Sequence, residues 1–445
     1  MSAIVDPIES STLRTTASGI TPPVPETPEE LGVQPALLEQ LVVKFLYFRG
    51  ELLGRELASL MGVTSSLIDD LLEMLKRQHY VGVKKSLGMG NMSGIFVLTE
   101  AGRNLAREFL MNNQYAGPIP VPLYQYTEVV RRQKLRDNWL SPALLVEAFQ
   151  HLVVEADVLA QIGPAVNASK SFLIYGKPGN GKTALAESLF RVETEPIFMP
   201  YAIECQGNII QLYDPIYHQK VADETTQLSA LSTDLPWDGR WFKCKRPFII
   251  TGGELTLEML DLSYNPHSKI YDAPFQLKAN NGIYLIDDFG RQKVSPAEVL
   301  NRWIVPMERH VDYLSFHAGG KMTVPFEAFL IFSTNLKPDQ LGDEAFLRRI
   351  QYKMFLRSPK QAEFTEIFER FAAAKQLECT PEVTDAFIQK HYVEGTQPFR
   401  RCHPRDVLMH SIDIINFESL PRVLNEDVLD RAFISCFVED ADVDG

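Results

Sequence analysis

Gly176-Lys177-Pro178-Gly179-Asn180-Gly181-Lys182-Thr183 is the stretch whose reading decides the fold. It has the form G-x-x-x-x-G-K-T. An apolar run, Ser171-Phe172-Leu173-Ile174-Tyr175, precedes it, and a helical pattern runs from Ala184 to Phe190 after it. Glycines in such a turn let backbone N–H groups curl around phosphate oxygens, and the following helix aims its positive dipole end at the same point. Strand, turn and helix in register predict a phosphate-binding loop framed by Gly176, Pro178, Gly179, Asn180, Gly181 and Ala184. Lys182 is expected to reach the β- and γ-phosphates of a nucleotide, and Thr183 to hold Mg2+ through its hydroxyl. ATP and Mg2+ are the expected cofactors.

Such a loop needs an acid on another strand to support the metal. Gly282-Ile283-Tyr284-Leu285-Ile286-Asp287-Asp288 supplies one: a short buried strand with two carboxylates at its C-terminal end, where open α/β sheets bind their ligands. Asp287 is the expected Mg2+ support, and Asp288 the group that orients and deprotonates the attacking water.

Later segments bring a specific resemblance. Ala328-Phe329-Leu330-Ile331-Phe332-Ser333-Thr334-Asn335 resembles the sensor-1 strand of AAA+ ATPases. Asp343-Glu344-Ala345-Phe346-Leu347-Arg348-Arg349-Ile350 resembles their arginine-finger segment, and Cys402-His403-Pro404-Arg405-Asp406 their sensor-2 motif. The resemblance covers about residues 140–440, with the motifs in the family's order. It implies an α/β phosphate-loop module with a five-stranded parallel sheet, followed by a helical lid with helices near 360–376, 381–391, 404–417 and 425–437. It also implies catalytic roles for Lys182, Asp288, Asn335 and an arginine finger. Arg348 and Arg349 are both candidates for the finger, and Arg349 is favoured. Arg405 is implied to touch the nucleotide of its own subunit. A finger acting in trans implies a homo-oligomeric ring, commonly a hexamer, with Mg2+-dependent ATP hydrolysis.

Two features depart from the family. Its usual second acid is Glu, and here Asp288 sets the carboxylate back by one methylene. About 100 residues separate the phosphate loop from the acid strand, which implies an insertion over about 201–280. Within it, Met199 to Tyr213 reads as a hairpin around Gln206-Gly207-Asn208. The approach to the acid strand, Phe275 to Gly282, is similar to AAA+ relatives with an insertion in the second helix, the chelatase and MoxR-like groups and bacterial enhancer-binding activators among them. A further hairpin is expected from Tyr313 to Val324, with Gly319-Gly320-Lys321 at its tip. His267, Lys269, Tyr271, His317 and Lys321 are pore-loop candidates on that resemblance.

Upstream, residues 1–30 are rich in Ser, Thr and Pro and read as a disordered tail. Residues 31–115 carry three helical patterns, two strand patterns around Gly88-Met89-Gly90-Asn91, and a last helix from Thr99. That order, and Phe96 to Arg103 in particular, resembles a winged-helix domain. Its third helix carries Asp69, Asp70 and Glu73, which repel phosphate, while Lys76, Arg77, Lys84 and Lys85 form a modest basic cluster. Docking of a protein client or adaptor is preferred over DNA reading, and DNA remains the alternative partner. Residues 116–140, with Pro118, Pro120 and Pro122, read as a linker, 141–357 as the nucleotide-binding domain, 358–440 as the lid and 441–445 as an acidic tail.

Bulk composition fits this reading. The chain has 445 residues, 45% hydrophobic and 23% charged, enough for two or three globular domains. A net charge of −13 argues against a dedicated nucleic-acid binder. Five scattered cysteines form no Cys-x-x-Cys pair, which fits a reducing compartment. No apolar run approaches the roughly 20 residues of a membrane span. A cytoplasmic ATPase that remodels a protein client is the leading expectation. A nucleic-acid-associated ATPase (helicase loader, transposition helper or transcription regulator) and a slow nucleotide switch are the alternatives.

Overall fold

The computed structural model describes residues 14–16, 19–88, 90–135, 139–168, 171–192, 194–221, 235–342, 347–395 and 397–437. The expected acidic tail, Met89 of the hairpin turn and Asp343 to Phe346 of the finger segment lie outside them.

A short hairpin, β1 (Arg14–Thr16) and β2 (Gly19–Thr21), leads to α1 (Pro28–Leu31). Then come α2 (Pro35–Arg49), β3 (Glu51–Leu53), α3 (Gly54–Met61), α4 (Ser65–Arg77), β4 (Val81–Ser86), β5 (Gly94–Leu98) and α5 (Glu100–Asn112). The strands form an antiparallel sheet in the order β3-β5-β4, one strand more than the sequence suggested. Gly62, at φ +73, ends α3 in the left-handed conformation that glycine adopts without a Cβ penalty. Thr99 caps α5 by accepting from the Gly102 N–H at 3.0 Å.

The tail and linker differ from the sequence reading. Pro22 and Pro25 are buried, and the Pro22 carbonyl accepts from the Asp238 N–H at 3.1 Å. The expected linker holds β6 (Val121–Pro122) and α6 (Leu123–Arg132), whose Tyr126, Val129 and Val130 are buried. Gln133 follows, buried, exchanging hydrogen bonds with both backbone groups of Phe198. Three prolines concealed an amphipathic helix that begins immediately after the last of them.

After α7 (Pro142–Phe149) and α8 (Ala156–Asn167), the central sheet begins with β7 (Phe172–Tyr175), followed by α9 (Lys182–Phe190). The insertion contributes β8 (Ile197–Pro200), β9 (Ala202–Cys205), β10 (Asn208–Gln211) and β11 (Trp241–Cys244). The turn between β9 and β10 is Gln206-Gly207, with φ of +54 and +78, the conformation of a tight two-residue hairpin. Next come β12 (Phe248–Thr251), β13 (Ser263–Asn265), β14 (Ile270–Asp272), the single turn α10 (Phe275–Lys278) and β15 (Ile283–Ile286). Then follow α11 (Pro296–Arg309), the hairpin β16 (Val311–Ser315) and β17 (Lys321–Pro325), β18 (Phe329–Thr334) and β19 (Tyr352–Phe355).

Five strands, β12-β15-β18-β7-β19, form an all-parallel sheet. Every residue of β18 is buried, as expected for a strand covered on both faces. One face packs on α7, α8 and α9, and the other on α11 through Trp303. A second, mixed sheet, β13-β14-β10-β9-β6, belongs to the insertion and shares a core with β8, β11, α6 and the β16–β17 hairpin. Four helices close the chain: α12 (Gln361–Ala374), α13 (Pro381–Ile388), α14 (His403–Glu418) and α15 (Glu426–Cys436), around Phe364, Phe368, Phe387 and Phe433. Among the described residues, no helix is long and apolar enough to cross a membrane.

Two insertion residues enter the core of the N-terminal body. Ala202 and Ile209 are buried in the cluster formed by α2 to α5, with Tyr115 and Ile119. Gly62 and Gly239 meet back to back: a Cβ on Gly62 would lie 2.5 Å from the Gly239 carbonyl oxygen. Arg240, 1% exposed, pairs with Asp238 at 2.8 Å and donates to the Leu31 carbonyl and to Gln125. Of the pore-loop candidates, His267, His317 and Lys321 are exposed, while Tyr271 and Lys269 are engaged within the fold. Tyr271 is buried in the insertion core, and Lys269 donates to the Met111 carbonyl at the end of α5. Their hairpin packs against the N-terminal body instead of projecting from it.

Candidate nucleotide-binding site

The phosphate loop leaves the C-terminal end of β7, where that strand sits between β18 and β19 although it precedes both in the chain. Crevices in open α/β sheets form at such reversals of strand order. Gly181 caps α9 at φ +84, and Gly179, at φ +77, has no room for a side chain, since a Cβ would sit 2.6 Å from Cys402 Sγ. The loop is held to its neighbours by the Gly176 N–H on the Thr334 carbonyl at 3.2 Å and by the Cys402 N–H on the Gly179 carbonyl at 2.9 Å. Asn180, 1% exposed, donates to the Leu356 carbonyl.

Lys182 is 6% exposed. Its ammonium donates to the Gly176 and Lys177 carbonyls, each at 3.1 Å, and to Asn335 Oδ1 at 2.7 Å. Asn335 in turn donates from Nδ2 to Asp288 Oδ1 at 2.8 Å. Thr183 donates to Asp287 Oδ2 at 2.8 Å. Five of the residues singled out from sequence are thus joined in two short chains across three strand ends. Burial lowers the pKa of Lys182, against the opposing pull of Asp288 and Asp287. A phosphate placed here offsets that desolvation, so the residues fit a nucleotide. The Thr183 and Asp287 oxygens are hard donors of the kind Mg2+ takes.

The acid turn is locked from behind. Phe289 N–H donates to the Ser333 carbonyl at 2.7 Å, and Gln292 Nε2 to the Asp287 carbonyl at 2.9 Å. Asp288 sits at φ +48, a left-handed position that Asp adopts more readily than longer side chains.

A cavity of about 760 Å³ elsewhere, near α6, carries none of these groups, whereas one of about 700 Å³ contains the loop. The second is walled by Pro178 to Leu185, Asp287, Asp288, Ser333 and Asn335 on one side. His151, Leu152, Val153 and Val154 add an apolar wall, and Ile367, Phe371, Arg401 and Arg405 close it from the lid. Arg405 lines this space, but its guanidinium is mostly exposed and bonded to its neighbour Asp406 at 2.8 Å. Arg401, which the sequence reading passed over, is better buried; it donates to the Val153 carbonyl at 2.6 Å and pairs with Glu363 at 3.1 Å. The Arg400-Arg401 pair directly before the lid motif was the available signal.

Arg348 and Arg349 do not reach this cavity. They line a separate one of about 470 Å³ with Pro306 and Glu308, and Arg349 pairs with Glu308 at 3.1 Å. The Ser171 hydroxyl donates to the Arg349 carbonyl, which puts both arginines at the N-terminal edge of the sheet. His403 packs against Tyr392 and Phe437, and burial holds its pKa near 4. Among the described residues, no group of three His, Cys, Asp or Glu side chains could hold a metal.

Comparison with known proteins adds little to the site. A family described as a domain of unknown function (DUF8689) matches residues 360–435, the C-terminal helices α12 to α15. No curated protein matches the chain. Among solved structures the chain is similar to NtrX from Brucella abortus, at 12% identity over 65% of this chain and 56% of that one, with a TM-score of 0.39. It therefore spans little more than half of the NtrX chain. It is also similar to two variants of RuvB from Thermotoga maritima, each at 13% identity, over 66% and 63% of this chain and 73% and 69% of theirs, with TM-scores of 0.37 and 0.34.

Proposed function

We propose that the chain is an AAA+ ATPase that hydrolyses ATP with Mg2+ as a homo-oligomeric ring and remodels a protein client. The observation that carries the reading is the hydrogen-bonded chain from Lys182 through Asn335 to Asp288, beside the Thr183–Asp287 pair. Lys182 binds the β- and γ-phosphates. Asn335 fixes the carboxylate of Asp288, which takes a proton from the attacking water. Thr183 and Asp287 would hold Mg2+, which would supply neutralisation of the charge developing on the phosphoryl oxygens. Arg349, or Arg348, serves the site of a neighbouring subunit; their distance from the loop of their own chain supports that role. Arg401 joins Arg405 as a lid contact to the nucleotide.

In this reading the N-terminal body is a winged-helix domain that recruits the client. Its element order supports that reading, and two ion pairs disfavour DNA as the ligand. Lys76 pairs with Glu73 at 2.7 Å, and Lys84 pairs with Glu51 at 2.5 Å, so half of the basic cluster is already neutralised. The test is ATP turnover by wild type, Lys182→Ala and Asp288→Asn, each with its mass in solution measured with and without ATP. Turnover in wild type alone, with an ATP-dependent ring that persists in Asp288→Asn, supports the proposal. Binding of ATP without turnover or assembly leaves a nucleotide switch instead.

A further inference from the structure

Asp288 leaves β15 in a left-handed backbone conformation, φ +48, which Asp tolerates better than a longer acid. Such a residue persists only where its surroundings over-determine it. Part of the hold comes from β18, the strand that leads to Asn335. The Phe289 N–H donates to the Ser333 carbonyl at 2.7 Å, and the Thr334 hydroxyl donates to the Phe289 carbonyl at 2.5 Å. The Arg291 N–H closes the turn on the Asp288 carbonyl at 2.9 Å.

Gln292 supplies the rest from within the turn. Its Oε1 accepts from the Gly290 N–H at 2.7 Å, and its Nε2 donates to the Asp287 carbonyl at 2.9 Å. A backbone N–H can only donate and a carbonyl only accept, so the two bonds agree on one orientation of the amide. That amide clasps the backbone on both sides of Asp288. Gln292 itself stands outside the nucleotide cavity, whose wall includes Asp287, Asp288 and Arg291.

The clasp bears on the short acid. Asp288 is one methylene shorter than Glu, yet its Oδ1 meets Asn335 Nδ2 at 2.8 Å, and Asn335 Oδ1 meets Lys182 at 2.7 Å. Asp287 is held separately, by the Thr183 hydroxyl at 2.8 Å and by its own N–H on the Thr251 carbonyl at 2.8 Å. Loss of the clasp therefore falls on Asp288. We infer that Gln292 is a positioning residue for ATP hydrolysis: its amide holds the left-handed turn from which the short carboxylate of Asp288 reaches Asn335. This rests on the reading of the site as an ATPase.

The test measures ATP turnover and ATP affinity in the full chain for wild type, Gln292→Ala and Gln292→Glu. Gln292→Ala is expected to lower kcat on the order of 10–100-fold, the cost of a misplacement of up to about 1 Å, with ATP affinity kept within about twofold. Gln292→Glu keeps the acceptor for Gly290, and while its carboxyl is ionised it has no donor for the Asp287 carbonyl. Its turnover as a ratio to wild type is expected to rise as pH falls, because the protonated carboxyl regains a donor. The ionisable groups of the turn, Asp287, Asp288, Arg291 and Lys293, are common to both proteins, so the ratio cancels them. Where Gln292→Ala fails to fold, the pH response of Gln292→Glu decides alone. Unchanged kcat in a folded Gln292→Ala overturns the inference. So does a loss confined to ATP affinity, or a Gln292→Glu ratio that is flat with pH. Wild type that binds ATP without turnover is a separate outcome: it fails the ATPase reading and takes the inference with it.

Discussion

The nucleotide cavity and the junction around Arg240 handle buried charge in opposite ways. At the junction Arg240 is closed into a pair with Asp238, and elsewhere in the fold buried Lys278 is paired with Asp214 and Asp272, and buried Asp312 with Arg302. At the phosphate loop, Lys182 is nearly as buried and, among the described residues, is bonded to carbonyl and amide oxygens, with Asp288 held off behind Asn335 and Asp287 behind Thr183. The closed pairs fix geometry, while the open cation keeps its field for an arriving anion. Burial alone therefore does not separate framework from site; the kind of partner does.

The comparison breaks first at Lys182. Lys182→Ala is expected to lower ATP turnover about a thousandfold or more, while the nucleotide-free melting free energy changes by no more than about 1 kcal/mol. A large loss of stability without nucleotide would show that Lys182 is framework after all. Arg240→Ala carries the opposite expectation: a loss of about 3–5 kcal/mol in chemical denaturation, because Asp238 is left buried and unpaired. Turnover per folded molecule should hold.

A third buried cation sharpens the contrast. Among the described residues Lys44 has Asn113 Oδ1 as its partner, at 2.8 Å, and burial lowers its pKa from 10.5 to about 8. Between those values the unfolded chain binds the proton and the folded chain does not, so this group makes stability rise with pH across that window. Lys44→Met is expected to be the more stable protein at pH 7, by on the order of 1–3 kcal/mol. Its advantage should shrink as pH rises from about 8 toward 10.5. A constant difference across that range would remove Lys44 as the cause. The smallest effect is expected in the lid. Arg401→Ala should weaken ATP binding about tenfold and Arg405→Ala less, read by nucleotide fluorescence; the reverse order would restore Arg405 as the main lid contact.

How much of this was legible follows from the range of the interactions. The phosphate loop, the acid strand and the strand ending at Asn335 each carry a local signature, an apolar run ending in a polar residue. Their meeting at one edge follows once the strands pair in parallel. The lid helices were legible for the same reason, with ends displaced by a few residues. The burial of α6 was not, because Pro118, Pro120 and Pro122 dominate the local pattern, while Tyr126, Val129 and Val130 find their partners in β8, β9 and β17. Nor was Arg401, whose role depends on the Val153 carbonyl and on Glu363, both distant in sequence.

The contact between Gly62 and Gly239 has a mechanical consequence. Two backbones touching without side chains leave no compliant layer to absorb a displacement. The N-terminal body and the insertion are therefore joined stiffly at this point. A displacement of one is passed to the other there without slack.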